Sequence, residues 1–73
     1  MKSREVLKRI QRSRCCAVLR QRGSHKFVRC ECEGSNCTTV VPAHAGVDLG
    51  RGLLRAVERD LEPCLEERWL KRT

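Results

Sequence analysis

The sequence predicts an α+β fold, made of a helix, a three-stranded antiparallel meander and a second helix, in that order. Apolar residues recur with a helical period near both ends of the 73-residue chain. The segment between them alternates with a period of two and is interrupted by turn residues. Two helices can cover one face of such a sheet and leave its other face open to solvent.

The first helix is predicted to begin at Ser3 and to end by about Arg14. Ser3 is a suitable N-cap, because its hydroxyl can accept a hydrogen bond from a backbone N–H of the first turn. The apolar stripe of this helix consists of Val6, Leu7 and Ile10. Since charged residues surround that stripe, we expect only one side of the helix to be buried.

The first strand is predicted to start at Cys15, where the period of apolar residues changes from helical to two. Strict alternation makes Cys15, Ala17 and Leu19 the inward-facing set. The strand is expected to end at Gly23-Ser24, because glycine and serine are typical turn residues.

The second and third strands are predicted at residues 27–32 and 37–41, joined by a four-residue connection, 33–36. Pro42 ends the third strand, because proline cannot donate a hydrogen bond to a strand ladder. Val28, Cys30 and Cys32 share one face of the second strand, which is expected to point inward, and Cys37, Thr39 and Val41 share one face of the third.

The second helix follows a loop over residues 43–49, in which Asp48 is a candidate N-cap. Its apolar stripe consists of Leu53, Leu54, Val57 and Leu61. Pro63 interrupts this stripe and suits the first turn of a short last helix. We therefore predict one domain over residues 1–73, with its core at 3–61 and a C-terminal helical extension at 63–71.

Length and charge exclude several classes of protein. A chain of 73 residues has room for one small core, and no apolar run approaches the roughly 18 residues of a membrane span. No apolar segment of a secretory signal follows the basic N-terminus. Sixteen Lys and Arg against nine Asp and Glu give a net charge of +7. We therefore expect a cytoplasmic protein without membrane contact that binds a polyanion.

The six cysteines are Cys15, Cys16, Cys30, Cys32, Cys37 and Cys64. In a cytoplasmic protein the favoured interpretation is buried, reduced thiols that act as small hydrophobic residues. A zinc site is a second interpretation; its ligands would be Cys30, Cys32 and Cys37, with Cys64 or His44 as the fourth. A disulfide between Cys32 and Cys37 across the hairpin is a third.

The segment from Arg20 to Phe27 holds the candidate catalytic chemistry. Its histidine, His25, follows a glycine-containing turn and has three cationic residues close to it in the sequence. RNA cleavage needs a base that removes a proton from the 2′-hydroxyl, and histidine titrates nearest to neutrality. Nearby Arg and Lys can stabilise the charge on the pentacoordinate phosphate. From the residues alone, a surface histidine or a phosphate ligand stays open as an alternative.

Four segments, taken in order, resemble the HicA (YcfA-like) toxin family. They read Met1-Lys2-Ser3, Arg20-Gln21-Arg22-Gly23-Ser24-His25-Lys26-Phe27, Val40-Val41-Pro42 and Gly50-Arg51-Gly52-Leu53-Leu54-Arg55-Ala56-Val57. The resemblance covers roughly Lys2 to Leu61, and the Gly-Ser-His run is its most specific part. It implies an α-β-β-β-α fold like that of double-stranded-RNA-binding domains. The chain departs from the family pattern at Cys15-Cys16, where the family has glycine and an aromatic residue.

The resemblance also implies a function. It implies the toxin of a toxin–antitoxin system, a metal-independent endoribonuclease that cleaves mRNA with His25 as catalytic residue and without a cofactor. It implies a HicB-type antitoxin that covers the active site and supplies the only DNA contact. The residues predicted to bind RNA are Arg20, Arg22, Ser24, Lys26 and Arg29, with Arg51 and Arg55 as candidates to extend the surface. His44 is a candidate second proton-transfer group or a solvated loop residue. The alternative is a non-catalytic RNA-binding module of the same fold.

Overall fold

The computed structural model describes residues 1–43 and 48–71. The elements are α1 (Ser3–Gln11), β1 (Cys16–Arg22), β2 (His25–Cys32), β3 (Ser35–Pro42) and α2 (Arg51–Leu65). The strands form one antiparallel sheet in the order β1-β2-β3, so the predicted α+β order is confirmed. Within the described residues, no helix is both long enough and apolar enough to cross a membrane.

Both helices pack against the same face of the sheet. The buried residues of the core are Val6, Leu7 and Ile10 from α1, Val28, Cys30, Cys37 and Val41 from the sheet, Val57 and Leu61 from α2, and Leu49, Trp69 and Leu70 from outside these elements. The apolar stripe predicted for α1 and the inward face predicted for β2 are therefore confirmed. Cys37, Thr39 and Val41, predicted to share one face of β3, are all buried. The opposite side of the sheet carries exposed residues such as Arg29 and Val40, and we call it the open face.

The side chains of β1 that face inward are not the set that was predicted. Leu19 is 60% exposed and Ala17 is also exposed, whereas Cys16 and Val18 are half-buried. Val18 stands opposite the buried Val28, and directly opposed residues of two strands share one face. The predicted inward positions Ala17 and Leu19 are therefore wrong, and the register continues past Leu19 only through a β-bulge.

The connection between β2 and β3 is shorter than predicted. Glu33 and Gly34 form the turn, and both have positive φ, 45° and 84°. Two-residue hairpin turns of this kind need positive φ at both central positions, which glycine adopts without steric cost. Ser35 and Asn36 were expected in the connection, but they already pair with the last two residues of β2.

Neither helix begins at its predicted N-cap residue. The N-cap of α1 is Lys2 and that of α2 is Gly50, and neither makes a side-chain capping bond. Ser3 lies inside α1 and is buried, so it is not the cap. Asp48 is not a cap either, because it forms an isolated bridge with Lys2 and an ion pair with the N-terminal ammonium of Met1.

The C-terminal segment folds back instead of forming a second helix. Helix α2 continues through Pro63 to Leu65, so the helix predicted over 63–71 does not form. Positive φ at Glu66 and Arg68, 86° and 59°, ends the helical geometry and reverses the chain. Trp69 then reaches the core, where it is 7% exposed.

A buried carboxylate holds this segment against α2. Glu58 is 3% exposed and accepts hydrogen bonds from the Arg55 guanidinium at 2.9 Å and the Leu70 amide at 3.1 Å. The neighbouring Glu62 accepts from Arg55 at 2.8 Å and from the Arg68 amide at 3.0 Å. The Arg68 amide and then Arg55 lower the pKa of Glu62. We call the side chains of Arg55, Glu58 and Glu62, together with the Arg68 and Leu70 amides, the carboxylate clasp.

Candidate nucleic-acid interface and active site

The residues of the predicted motif lie at one end of the open face. On β2 the buried Val28 points towards the helices, so His25 and Phe27 point to the other side of the sheet. Arg22 is the direct partner of His25 across β1 and β2, and Arg20 is the partner of Phe27. Four of the motif's side chains therefore share this face.

An aromatic ring positions one of these arginines. The guanidinium carbon of Arg20 lies 4.8 Å from the centroid of the Phe27 ring, a cation–π contact. Such a contact restrains the long Arg20 side chain while leaving its N–H groups available to a phosphate. Sequence reasoning missed this role of Phe27, although an arginine and an aromatic residue near a predicted turn were a usable signal.

A tight turn presents His25. Gly23 has φ of 56°, and its carbonyl accepts a hydrogen bond from the Gln21 side chain at 2.9 Å. The carbonyl of Ser24 accepts a hydrogen bond from the amide of Ala43, which follows β3. His25 begins β2 immediately after this turn and is exposed. The imidazole is therefore accessible to a large substrate and stands on a backbone held from two sides.

Lys26 lies on the other face of the sheet. Its partner on β3 is Val41, which is fully buried beneath the helices, and opposed residues share a face. Lys26 lines a shallow groove together with Lys2 and Arg4 of the α1 region. The structure therefore separates Lys26 from His25, although both lie at the same end of the sheet.

The remaining predicted RNA ligands differ in how available they are. Ser24 is half-buried in the turn. Arg29 lies on the open face, where its Nε atom is 2.9 Å from Glu31 and 3.2 Å from the Asn36 side chain. Arg51 is exposed in the first turn of α2, whereas Arg55 belongs to the carboxylate clasp. Hydrogen bonds to its two glutamates raise the pKa of Arg55.

His44 lies outside the described residues, so its candidate role as a second proton-transfer group stays a prediction.

Comparison with known families identifies the chain. Residues 3–62 match the family model described as the HicA toxin of bacterial toxin–antitoxin systems. The chain belongs to the HicA toxin family. The match runs from the first residue of α1 almost to the end of α2, so it includes the whole sheet and the Gly-Ser-His turn. Comparison with curated proteins and with solved structures gave no match.

Membership of the HicA family confirms the resemblance drawn from the four segments. It makes the chain a toxin of a bacterial toxin–antitoxin system, from a family whose members are generally endoribonucleases and are paired with an antitoxin. The C-terminal segment that carries Trp69 lies beyond the matched residues. Its contacts with α2 therefore involve residues that the family model does not cover.

The Cys15-Cys16 pair, which departs from the HicA pattern, is joined to β2 by two disulfides. Cys15 is bonded to Cys32 and Cys16 to Cys30, with Cα–Cα distances of 5.2 and 4.0 Å. The prediction of reduced thiols is wrong for these four cysteines. The predicted Cys32–Cys37 disulfide is also wrong, because Cys37 stands opposite Cys30 in the sheet.

The other two cysteines are free thiols. Cys37 is buried, and burial, followed by a hydrogen bond with Cys64, raises the pKa of the Cys37 thiol to about 11. The Cys64 thiol donates towards the carbonyls of Cys30 and Ser35 at 3.4 and 3.5 Å. Cys37 matches the expectation of a buried, reduced thiol that acts as a small hydrophobic residue, whereas Cys64 is reduced but only half-buried.

Proposed function

We propose that this HicA-family toxin is a metal-independent endoribonuclease that cleaves mRNA, with His25 as its general base or general acid. The observation that carries the proposal is the position of His25. It is exposed on the open face, directly opposite Arg22. A proton-transfer group and a fixed positive charge are thus neighbours on a surface that a nucleic-acid strand can reach.

The chemistry follows from these two side chains. In cleavage by transesterification, the 2′-hydroxyl loses a proton and attacks the adjacent phosphate, while the 5′-oxygen leaves and gains a proton. An imidazole can accept the first proton or supply the second near neutral pH. The attack adds negative charge to the phosphate oxygens, and Arg22 stands where a guanidinium can stabilise that charge. Such acid–base catalysis needs no metal ion and no cofactor.

The surface around His25 supports binding to a single strand of RNA. Arg20 and Arg22 project from β1 beside the histidine, and Arg29 follows farther along the same face. We assign phosphate binding to Arg20 and Arg22 first, because Arg29 is already paired with Glu31. Lys26 and Ser24 would contact only RNA that passes around the end of the sheet.

We further propose that a HicB-type antitoxin inhibits the toxin by covering the open face. Occupying that face would block His25 and Arg20 together, and acidic side chains would complement a chain of net charge +7. In this proposal the antitoxin supplies the only DNA contact, the pair acts in the cytoplasm, and residues 1–73 act as one domain.

Cleavage of a labelled RNA under single-turnover conditions, with EDTA present, tests the proposal. We expect wild-type cleavage without a divalent ion and a loss of about 10²- to 10⁴-fold in His25→Ala, the usual contribution of one acid–base group. The matched control is Lys26→Ala, the neighbouring residue on the opposite face, which should retain most of the activity.

Two outcomes would reject this assignment. Equal cleavage by wild type and His25→Ala would remove the histidine from the mechanism, and a requirement for a divalent ion would exclude the proposed chemistry. RNA binding by the wild-type protein without any cleavage would instead favour a non-catalytic RNA-binding module.

A further inference from the structure

We propose that Cys15, Cys16, Cys30 and Cys32 form a tetrathiolate site for a zinc-class metal ion when their two disulfides are reduced. The proposal concerns the end of the sheet distant from His25, and it does not depend on ribonuclease activity. It needs only a reducing environment, such as the cytoplasm proposed above.

Three of the four sulfur atoms already form one cluster, and the fourth is bonded to a member of it. The Sγ atoms of Cys15, Cys16 and Cys32 all lie within 4.8 Å of one another, and Cys30 is bonded to Cys16. At the usual Zn–S distance of about 2.3 Å, a tetrahedral site places its sulfur atoms about 3.8 Å apart. Reduction releases the Cys30 sulfur from Cys16, and rotation of the Cys30 side chain towards the other three sulfurs would complete the set of four ligands.

The backbone explains why four cysteines converge. Cys16 and Cys30 are direct partners across β1 and β2, and Cys32 follows Cys30 on the same face of β2. Cys15 lies in the turn before β1, so the alternation of a strand does not direct its side chain to the other face. Its carbonyl is fixed by a hydrogen bond from the Glu31 amide at 2.8 Å.

The surroundings suit a cation that arrives from solvent. Cys15 and Cys32 line an open groove together with the carboxylates Glu31, Glu33 and Glu62 and one cationic residue, Arg14. Glu31 and Glu62 are paired with arginines. The Ser13 hydroxyl lies 3.0 Å from the Cys15 sulfur, where it can donate a hydrogen bond to a thiolate. Such contacts from outside the ligand set orient and stabilise metal ligands.

The two states are related by balanced chemistry. Each disulfide accepts two electrons and two protons from a dithiol reductant, which is itself oxidised to a disulfide. The four resulting thiols release their protons when they bind the metal ion. Thiolate ligands favour zinc over magnesium or calcium, which prefer oxygen ligands.

Titration of the fully reduced, anaerobic chain with Co²⁺ alone, followed by Zn²⁺, tests the site. We expect one Co²⁺ per chain, the visible and near-ultraviolet absorption of tetrahedral cobalt thiolates, and displacement by zinc. Cys15→Ser and Cys32→Ser should each weaken cobalt binding at least about 100-fold, because even residues outside the ligand set contribute about 10- to 100-fold. Cys37→Ser, the control at a buried free thiol, should keep the stoichiometry and the spectrum.

Three results would overturn the proposal. One is a reduced chain that is folded by circular dichroism but binds no cobalt, and another is a reduced chain that unfolds and does not refold when zinc is added. The third is equal loss of cobalt binding in Cys64→Ser and Cys15→Ser, which would assign the metal to a different set of ligands. Each result can be obtained whether or not the protein cleaves RNA.

Discussion

The carboxylate clasp predicts that replacing one buried glutamate detaches the C-terminal segment. In Glu58→Ala the buried amide of Leu70 loses its acceptor, at a cost of about 1–3 kcal/mol. The lost ion pair with Arg55 adds only about 0.2–1 kcal/mol, because that guanidinium is 32% exposed and keeps Glu62 as a partner. The expected loss of unfolding free energy is therefore about 1–4 kcal/mol.

Urea unfolding with the disulfides intact measures this loss, and the only tryptophan reports where it arises. The indole N–H of Trp69 donates to the carbonyl of Glu58 at 2.7 Å, so detachment of the segment should expose the ring and shift its emission to longer wavelength. Glu67→Ala, an exposed glutamate of the same segment, is the control and should change stability by less than about 0.5 kcal/mol. Equal stability of the two variants, with unchanged tryptophan emission, would refute the role given to Glu58.

Three further predictions follow from single contacts. Arg20→Ala should weaken RNA binding in a filter-binding assay, and equal affinity of the two proteins would exclude Arg20 from the interface. If about five phosphates are contacted, the logarithm of the wild-type binding constant should fall with the logarithm of the salt concentration at a slope of roughly −3.5. The pKa of Glu62 is lowered in the folded protein, so ionised Glu62 stabilises the fold at pH values above its unfolded pKa, and this contribution is lost as pH falls through its folded pKa. Glu62→Gln should therefore make the free energy of unfolding depend less on pH in that range. An unchanged pH dependence would contradict this. Cys37, whose pKa is raised to about 11, should not react with iodoacetamide at pH 8 until the protein unfolds. Mass spectrometry of the alkylated chain measures this reaction, and rapid labelling of Cys37 in the folded state would contradict its burial.

The apolar stripe of α1 and the second half of the α2 stripe could be predicted because they depend on local spacing; Leu53, predicted as part of the α2 stripe, is 37% exposed. Val6 and Ile10, and likewise Val57 and Leu61, are four residues apart, and side chains at that spacing lie on one face of a helix. The inward face of β1 was wrong because alternation carries no information about register. Pairing of Val18 with Val28 and the bulge after it are set by the neighbouring strand, which the local pattern cannot reveal.

For the candidate site too, features that depend on neighbouring residues could be predicted, and features that depend on strand pairing could not. The turn that presents His25 could be located from Gly23-Ser24 alone, because glycine marks the positive φ that the hairpin needs. The separation of Lys26 from His25 follows from strand alternation only because β2 begins at His25; the strand predicted over 27–32 left both residues outside it. The disulfides could not be predicted from the sequence. Cys15 and Cys32 are 17 residues apart, and their proximity depends on the register between β1 and β2, which the local sequence does not determine.

The bulge in β1 also affects how this molecule can meet other chains. Strand β1 lies at an edge of the sheet, and an edge with regularly spaced amides and carbonyls invites another strand to join it. The irregularity at Leu19 interrupts that spacing, and Arg20 and Arg22 add charges that repel a second copy of the same edge. We expect these two features to limit self-aggregation of the toxin along β1.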